Sequence, residues 1–122
     1  MIVLDTNIFI YLSKGILASD VVASDDIAHA SITKIEALGF SSLPANELLL
    51  LDALFSESYT LSLTDTVVGR AIKLRQAKRM SLGDSIIAAT ALEQDLELWT
   101  ANTDDFIHIE GLKLVNPIES KK

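Results

Sequence analysis

Ile2-Val3-Leu4 runs directly into Asp5, and this short all-apolar run closed by a carboxylate limits the folds open to the chain. A strand with apolar side chains on both faces has no side to turn to water. Such strands belong inside a parallel sheet covered by helices above and below. Four more short segments read as strands: Ile27 to Ile32, Tyr59 to Leu63, Leu98 to Thr100 and Leu112 to Val115. Helical stretches separate them. Ile8 to Leu12 is the first, Thr33 to Phe40 the second, and Pro44 to Ser56 the third, with the proline near its first turn. Thr64-Asp65 caps a long amphipathic helix reaching Met80, and Ser81 starts another, Leu82 to Gln94, which is apolar nearly all round and therefore central. Strands alternating with helices predict an α/β fold, a three-layer α/β/α sandwich with a central, mainly parallel sheet.

The chain of 122 residues fits one domain, residues 1–122, and its 49% hydrophobic content suffices for a buried core. Cysteine is absent, which excludes a disulfide scaffold, a zinc–thiolate or iron–sulfur site and a cysteine nucleophile. The two histidines, His29 and His108, are too few for a His-rich metal site, and neither has a catalytic partner nearby in sequence. No apolar run approaches the length of a membrane span. Met1 to Asp5 carries no basic n-region, so no signal peptide is expected and a cytoplasmic location is. Phe9, Phe40, Phe55, Phe106 and Trp99 sit in apolar segments and are expected in the core.

Charge is unevenly spread. Ten Lys and Arg against seventeen Asp and Glu give a net charge of −7, the opposite of the usual nucleic-acid binder. Yet residues 70–79 hold five bases, Arg70, Lys73, Arg75, Lys78 and Arg79, and no acid. Arg75, Lys78 and Arg79 have the i, i+3, i+4 spacing of one helix face. That face is either a solvated helix end favoured by the dipole or a phosphate-contacting patch leading into Asp84.

In an open parallel sheet, ligands bind beyond the carboxyl ends of the strands. Asp5 follows the first strand directly, Glu36 lies one helical turn after the second, and Asp84 opens the central helix. Asn102, Asp104 and Asp105 follow Leu98 to Thr100. Each acid has a local explanation: Asp5 as a helix cap, Glu36 and Asp84 as capping-box partners of Thr33 and Ser81, Asp104 and Asp105 as turn residues. Capping, however, does not require all of them at one sheet edge. Carboxylates placed so close repel one another unless a cation balances them, and an all-oxygen set suits Mg²⁺ or Mn²⁺. Metal-dependent phosphodiester hydrolysis is the chemistry that suits this constellation.

Ile2-Val-Leu-Asp-Thr-Asn7, Ser31-Ile-Thr-Lys-Ile-Glu-Ala-Leu38, Ser81-Leu-Gly-Asp-Ser-Ile-Ile-Ala-Ala-Thr-Ala91 and Leu98-Trp-Thr-Ala-Asn-Thr-Asp-Asp-Phe106 occur in this order. Together they resemble the PIN domain, and within it the small VapC type of toxin ribonuclease. The resemblance extends from residue 2 to about Pro117. It implies a PIN-like sandwich whose acidic pocket binds Mg²⁺ or Mn²⁺ and hydrolyses RNA. By position, Asp5, Glu36 and Asp84 match the family's acids, and Thr6 and Asn7 match residues that shape the pocket. Many members carry Asp where this chain has Asn102, and the pattern from Thr100 to Phe106 points to Asp105 as the fourth acid.

The resemblance further implies that Asp5, Asp84 and Glu36 hold the metal directly or through water, and that hydrolysis leaves a 5′-phosphate and a 3′-hydroxyl. It also implies a small cognate antitoxin protein as partner, and a homodimer; the apolar stretch Leu48 to Leu54 is either a candidate interface for it or part of the core. Asn102 keeps open a second reading, a catalytically silent binding module on the same fold. A receiver-like Mg²⁺-binding signalling domain fits less well, because Leu98 to Asn102 carries no lysine.

Overall fold

The computed structural model describes residues 1–22 and 26–118. Five strands, β1 (Ile2–Leu4), β2 (Ile27–Ala30), β3 (Tyr59–Leu61), β4 (Glu97–Trp99) and β5 (Leu114–Val115), form one sheet in the order β3-β2-β1-β4-β5. Every pairing is parallel. Five α-helices connect them: α1 (Thr6–Ser13), α2 (Ser31–Leu38), α3 (Ala45–Ser56), α4 (Asp65–Ala77) and α5 (Leu82–Gln94). Short 3₁₀ turns occupy Ser19–Val21 and Thr103–Asp105.

The period of two along β1 divides the core. Val3 joins Ala30, Leu98, Phe106 and the buried faces of α4 and α5, whereas Ile2 and Leu4 join Ile8, Phe9, Ala37, Leu51 and Phe55 from α1, α2 and α3. Helices therefore cover both faces, as the all-apolar run requires. In the α1–α3 layer Phe9 stacks on Phe55 at 4.4 Å. His29 is packed edge-on against both rings, with Nδ1 2.7 Å from Ser58 Oγ and Nε2 3.1 Å from Thr60 Oγ1. Burial lowers its pKa to about 4, which makes it a neutral core residue with both nitrogens partnered.

Several element boundaries differ from expectation. β2 ends at Ala30, where its pairing with β3 ends, and α2 begins at Ser31 rather than Thr33. Thr33 is consequently inside the helix and fully buried, and it caps nothing. The α4 helix stops at Ala77: Lys78 is extended (φ −157°, ψ 147°), so Lys78 and Arg79 lie beyond the helix and do not continue the face of Arg75. Phe40 is exposed and lines a groove between α1, α2 and α3 instead of joining the core. Leu48 to Leu54 is divided, with Leu51 buried and Leu48, Leu49 and Leu50 exposed. The helix α5 matches its expected span, with Ser81 as its cap. Among the described residues, no helix is long and apolar enough to cross a membrane.

Candidate active site

The strand order reverses direction between β1 and β4, the first strand and the one reached after α5. A crevice opens at such a switch point because the connections leave toward opposite layers. Asp5 stands there, at the carboxyl end of β1, and its N–H continues the ladder by donating to the Trp99 carbonyl at 3.0 Å. Asp5 occupies the N-cap position of α1 but makes no side-chain cap hydrogen bond. Its Oδ2 instead accepts from the Thr100 hydroxyl at 2.7 Å, and Thr100 Oγ1 in turn accepts from the Asn102 N–H at 3.0 Å. Both Asp5 and Thr100 are buried. A cap would serve only α1; this bond ties β1 to β4.

Glu36 comes to the same end of the sheet on α2. The Thr6 hydroxyl donates to Glu36 Oε1 at 2.7 Å and lies 3.2 Å from Thr33 Oγ1, so a small hydroxyl cluster holds α2 to the start of α1. Asp84 enters from the first turn of α5. Its N–H donates to Ser81 Oγ at 3.1 Å. Ser81 therefore caps the helix, while the expected capping box at Thr33 and Glu36 does not form, for the helix begins two residues earlier.

Electrostatics couple these acids. Burial raises the Asp5 pKa to about 6, the Thr100 hydroxyl opposes the rise, and the charges of Asp84 and Glu36 add to it. Asp84 is also raised, first by burial and further by Asp105 and Glu36, with the Ser81 hydroxyl opposing. A shared negative field of this kind favours a cation. Among the described residues, no three His, Cys, Asp or Glu side chains form a ready-made cage for one ion. Mg²⁺ does not need one: it keeps several waters and takes only one or two carboxylates directly. The donor set of Asp5, Glu36 and Asp84 fits a hydrated hard cation.

An open pocket of about 320 Å³ adjoins Asp84 and is lined by Lys78, Arg79, Ser81, Asp104, Asp105 and His108. The bend after α4 brings Lys78 and Arg79 there. Arg75 is elsewhere: its Nε donates to the Met80 carbonyl at 3.3 Å, and it borders an apolar groove with Leu63, Ile72 and Leu82. Asn102 is exposed and, with Asp104 and Asp105, borders the loop after β4. Asn7 follows Thr6 on α1 and is partly buried. Both ring nitrogens of His108 are shut off from solvent without a hydrogen-bond partner among the described residues. Nothing in the sequence pattern assigned a role to Thr100 or Gly83. A buried hydroxyl at the end of a strand next to an acidic loop was the available signal for Thr100.

A protein-family model, the PIN domain, matches residues 2–112. The chain is similar in structure to a toxin–antitoxin complex from Klebsiella pneumoniae, with 30% identity and a TM-score of 0.81 over 96% of this chain and 98% of that one. It also resembles VapBC2 from Rickettsia felis bound to a DNA fragment from its promoter (24% identity, TM-score 0.80, 95% and 98% covered). VapBC-1 from nontypeable Haemophilus influenzae is a third such structure (24% identity, TM-score 0.78, 97% and 99% covered). A search of curated proteins gave no significant match.

Proposed function

This chain belongs to the PIN domain family, and we propose that it is a metal-dependent endoribonuclease, the toxin of a toxin–antitoxin pair. The observation that carries the reading is the convergence of Asp5, Glu36 and Asp84 at the switch point, where Asp84 and Glu36 add to the raised pKa of Asp5, and Glu36 and Asp105 to that of Asp84. Such a cluster costs the fold stability unless a cation offsets it, which is reasonable only where the cation is used.

In this reading Asp5, Asp84 and Glu36 hold Mg²⁺ or Mn²⁺, directly or through water. The ion, when bound, supplies positive charge for the phosphoryl oxygens and makes water more acidic. The Thr100 hydroxyl orients the Asp5 carboxylate, and the Thr6 hydroxyl that of Glu36, through a hydrogen bond to one oxygen of each. Lys78 and Arg79 draw the RNA backbone into the pocket beside Asp84, offsetting the repulsion of an acidic cleft. Asp105 accepts the proton of the attacking water. Water adds in line to phosphorus, the bond to the 3′-oxygen breaks, and that oxygen takes a proton from solvent, leaving a 5′-phosphate and a 3′-hydroxyl. Thr6, Asn7 and Asn102 shape the wall.

The partner is a cognate antitoxin, in keeping with the toxin–antitoxin complex that this chain resembles at 30% identity. The exposed leucines of α3, Leu48, Leu49 and Leu50, offer a homodimer surface.

Cleavage of end-labelled structured RNA in Mg²⁺ tests the reading, beside an EDTA control and an Asp84→Asn variant. Cleavage lost in both controls supports it. Divalent-cation binding without cleavage of any RNA class would favour the silent binding module.

A further inference from the structure

We infer that Gly83 is a positioning residue for Glu36, its missing side chain being the space in which the α2 carboxylate reaches the first turn of α5. The inference rests on the metal-site reading above. A Cβ built on Gly83 would stand 2.5 Å from Glu36 Oε2, 3.2 Å from its Cδ and 3.3 Å from its Oε1. No other group lies among these nearest contacts. Gly83 is buried, and it precedes Asp84 directly. From the other side, the Thr6 hydroxyl holds Glu36 Oε1 at 2.7 Å. The carboxylate is thus held between a hydroxyl and bare helix backbone, within electrostatic reach of Asp84.

Helix physics alone argues against glycine here. Gly83 lies inside α5 with no positive φ to demand it, and glycine is a poor helix former. Space for the core is not the closest constraint either, because the three nearest atoms a methyl group would meet all belong to Glu36. Glu36 is exposed and its carboxylate ends a flexible chain, so it can swing aside. An added methyl is therefore cheap for the fold and expensive for the site, since the atoms that must move are metal-ligand candidates.

Gly83→Ala tests this in the full chain, with three readouts. Thermal unfolding without metal is expected to show a midpoint equal to or higher than the parent's, by up to about 4 °C, from helix propensity. Mn²⁺ affinity, followed by quenching of the single tryptophan, Trp99, is expected to fall roughly 10–100-fold, and RNA cleavage to fall with it. Glu36→Asp withdraws the carboxylate by one methylene. In that background Gly83→Ala should cost little more, so that the two losses are not additive. Parent-like Mn²⁺ affinity and cleavage in Gly83→Ala, or fully additive losses in the double variant, would overturn the inference and leave the metal-site reading standing. A parent protein that neither binds Mn²⁺ nor cleaves RNA overturns both.

Discussion

The Thr100 hydroxyl donates to Asp5 Oδ2 across 2.7 Å and so joins residues 95 positions apart at the ends of the adjacent strands β1 and β4. The bond holds the Asp5 carboxylate in its ionised form against burial. Thr100→Val removes the donor and leaves a buried carboxylate oxygen unsatisfied, at a cost of about 1–3 kcal/mol at neutral pH. The Asp5 pKa should rise further, and the acid limb of the cleavage profile should move to higher pH. Thr100→Ser keeps the donor and should restore both. A side-chain carbonyl NMR titration of metal-free protein measures the first effect directly.

Asp5 itself opposes folding at neutral pH. Its folded pKa, about 6, lies above the ordinary value of 3.8. Protonated Asp5 favours the fold below pH 3.8, and that contribution is lost as pH rises through about 6. Asp5→Asn should therefore unfold at a higher temperature than the parent at pH 7.5 in EDTA, by several degrees, with the gap closing toward pH 4. Mg²⁺ should raise the midpoint of the parent and leave that of the variant nearly unchanged. Calorimetry across pH, with and without Mg²⁺, reads all of this.

His29 gives the reverse dependence. Its folded pKa is about 4, below the ordinary 6.5, so the neutral ring stabilises the fold above pH 6.5 and that stability is lost as pH falls through about 4. Gln at position 29 does not titrate there. His29→Gln should be less stable at pH 7.5, since the ring packing on Phe9 and Phe55 is gone. Its stability should fall less steeply than the parent's from pH 6.5 to pH 4.5, which urea titrations at those two values would show.

Lys78 and Arg79 border the pocket at Asp84, whereas Arg75 is held to the Met80 carbonyl. Charge reversal of Lys78 and Arg79 together should weaken RNA binding and flatten its salt dependence. Every phosphate that is no longer neutralised lowers the slope of log K against log[salt] by about 0.7–0.9. Arg75→Glu should leave the slope near that of the parent. Fluorescence anisotropy of labelled RNA over a salt series separates the two variants.

Leu49 is 71% exposed on α3, between Leu48 and Leu50, which are also exposed. If this face pairs two copies, Leu49→Asp should halve the mass seen by light scattering without lowering the unfolding midpoint of the isolated chain. An unchanged mass would exclude α3 from the subunit contact.

The layered fold was legible because binary pattern and strand burial agree: Ile2-Val-Leu can rest only between two helical layers, and α5 is apolar all round. The convergence of the acids was legible as an expectation because Asp5 follows β1, Glu36 lies on the helix after β2 and Asp84 is in the first turn of α5. What escaped the sequence depends on neighbours distant in the chain. Whether helix α2 starts at Ser31 or Thr33 is decided by where β3 stops pairing with β2. The break after Ala77 has no proline or glycine to announce it. Thr100 and Gly83 carry no charge, and their importance lies in the carboxylate each one meets.

The reversal of strand order also sets when the pocket can exist. A chain synthesised as far as residue 80 already carries Asp5 and Glu36, but neither Asp84 nor Thr100. Its first strand lacks the β4 neighbour that completes the crevice. The contacts that assemble the acids are among the longest-range in the molecule, and such contacts close late in folding because loop entropy must be overcome first. A nascent or partly folded copy therefore lacks the assembled pocket, which comes into being only with the nearly finished domain.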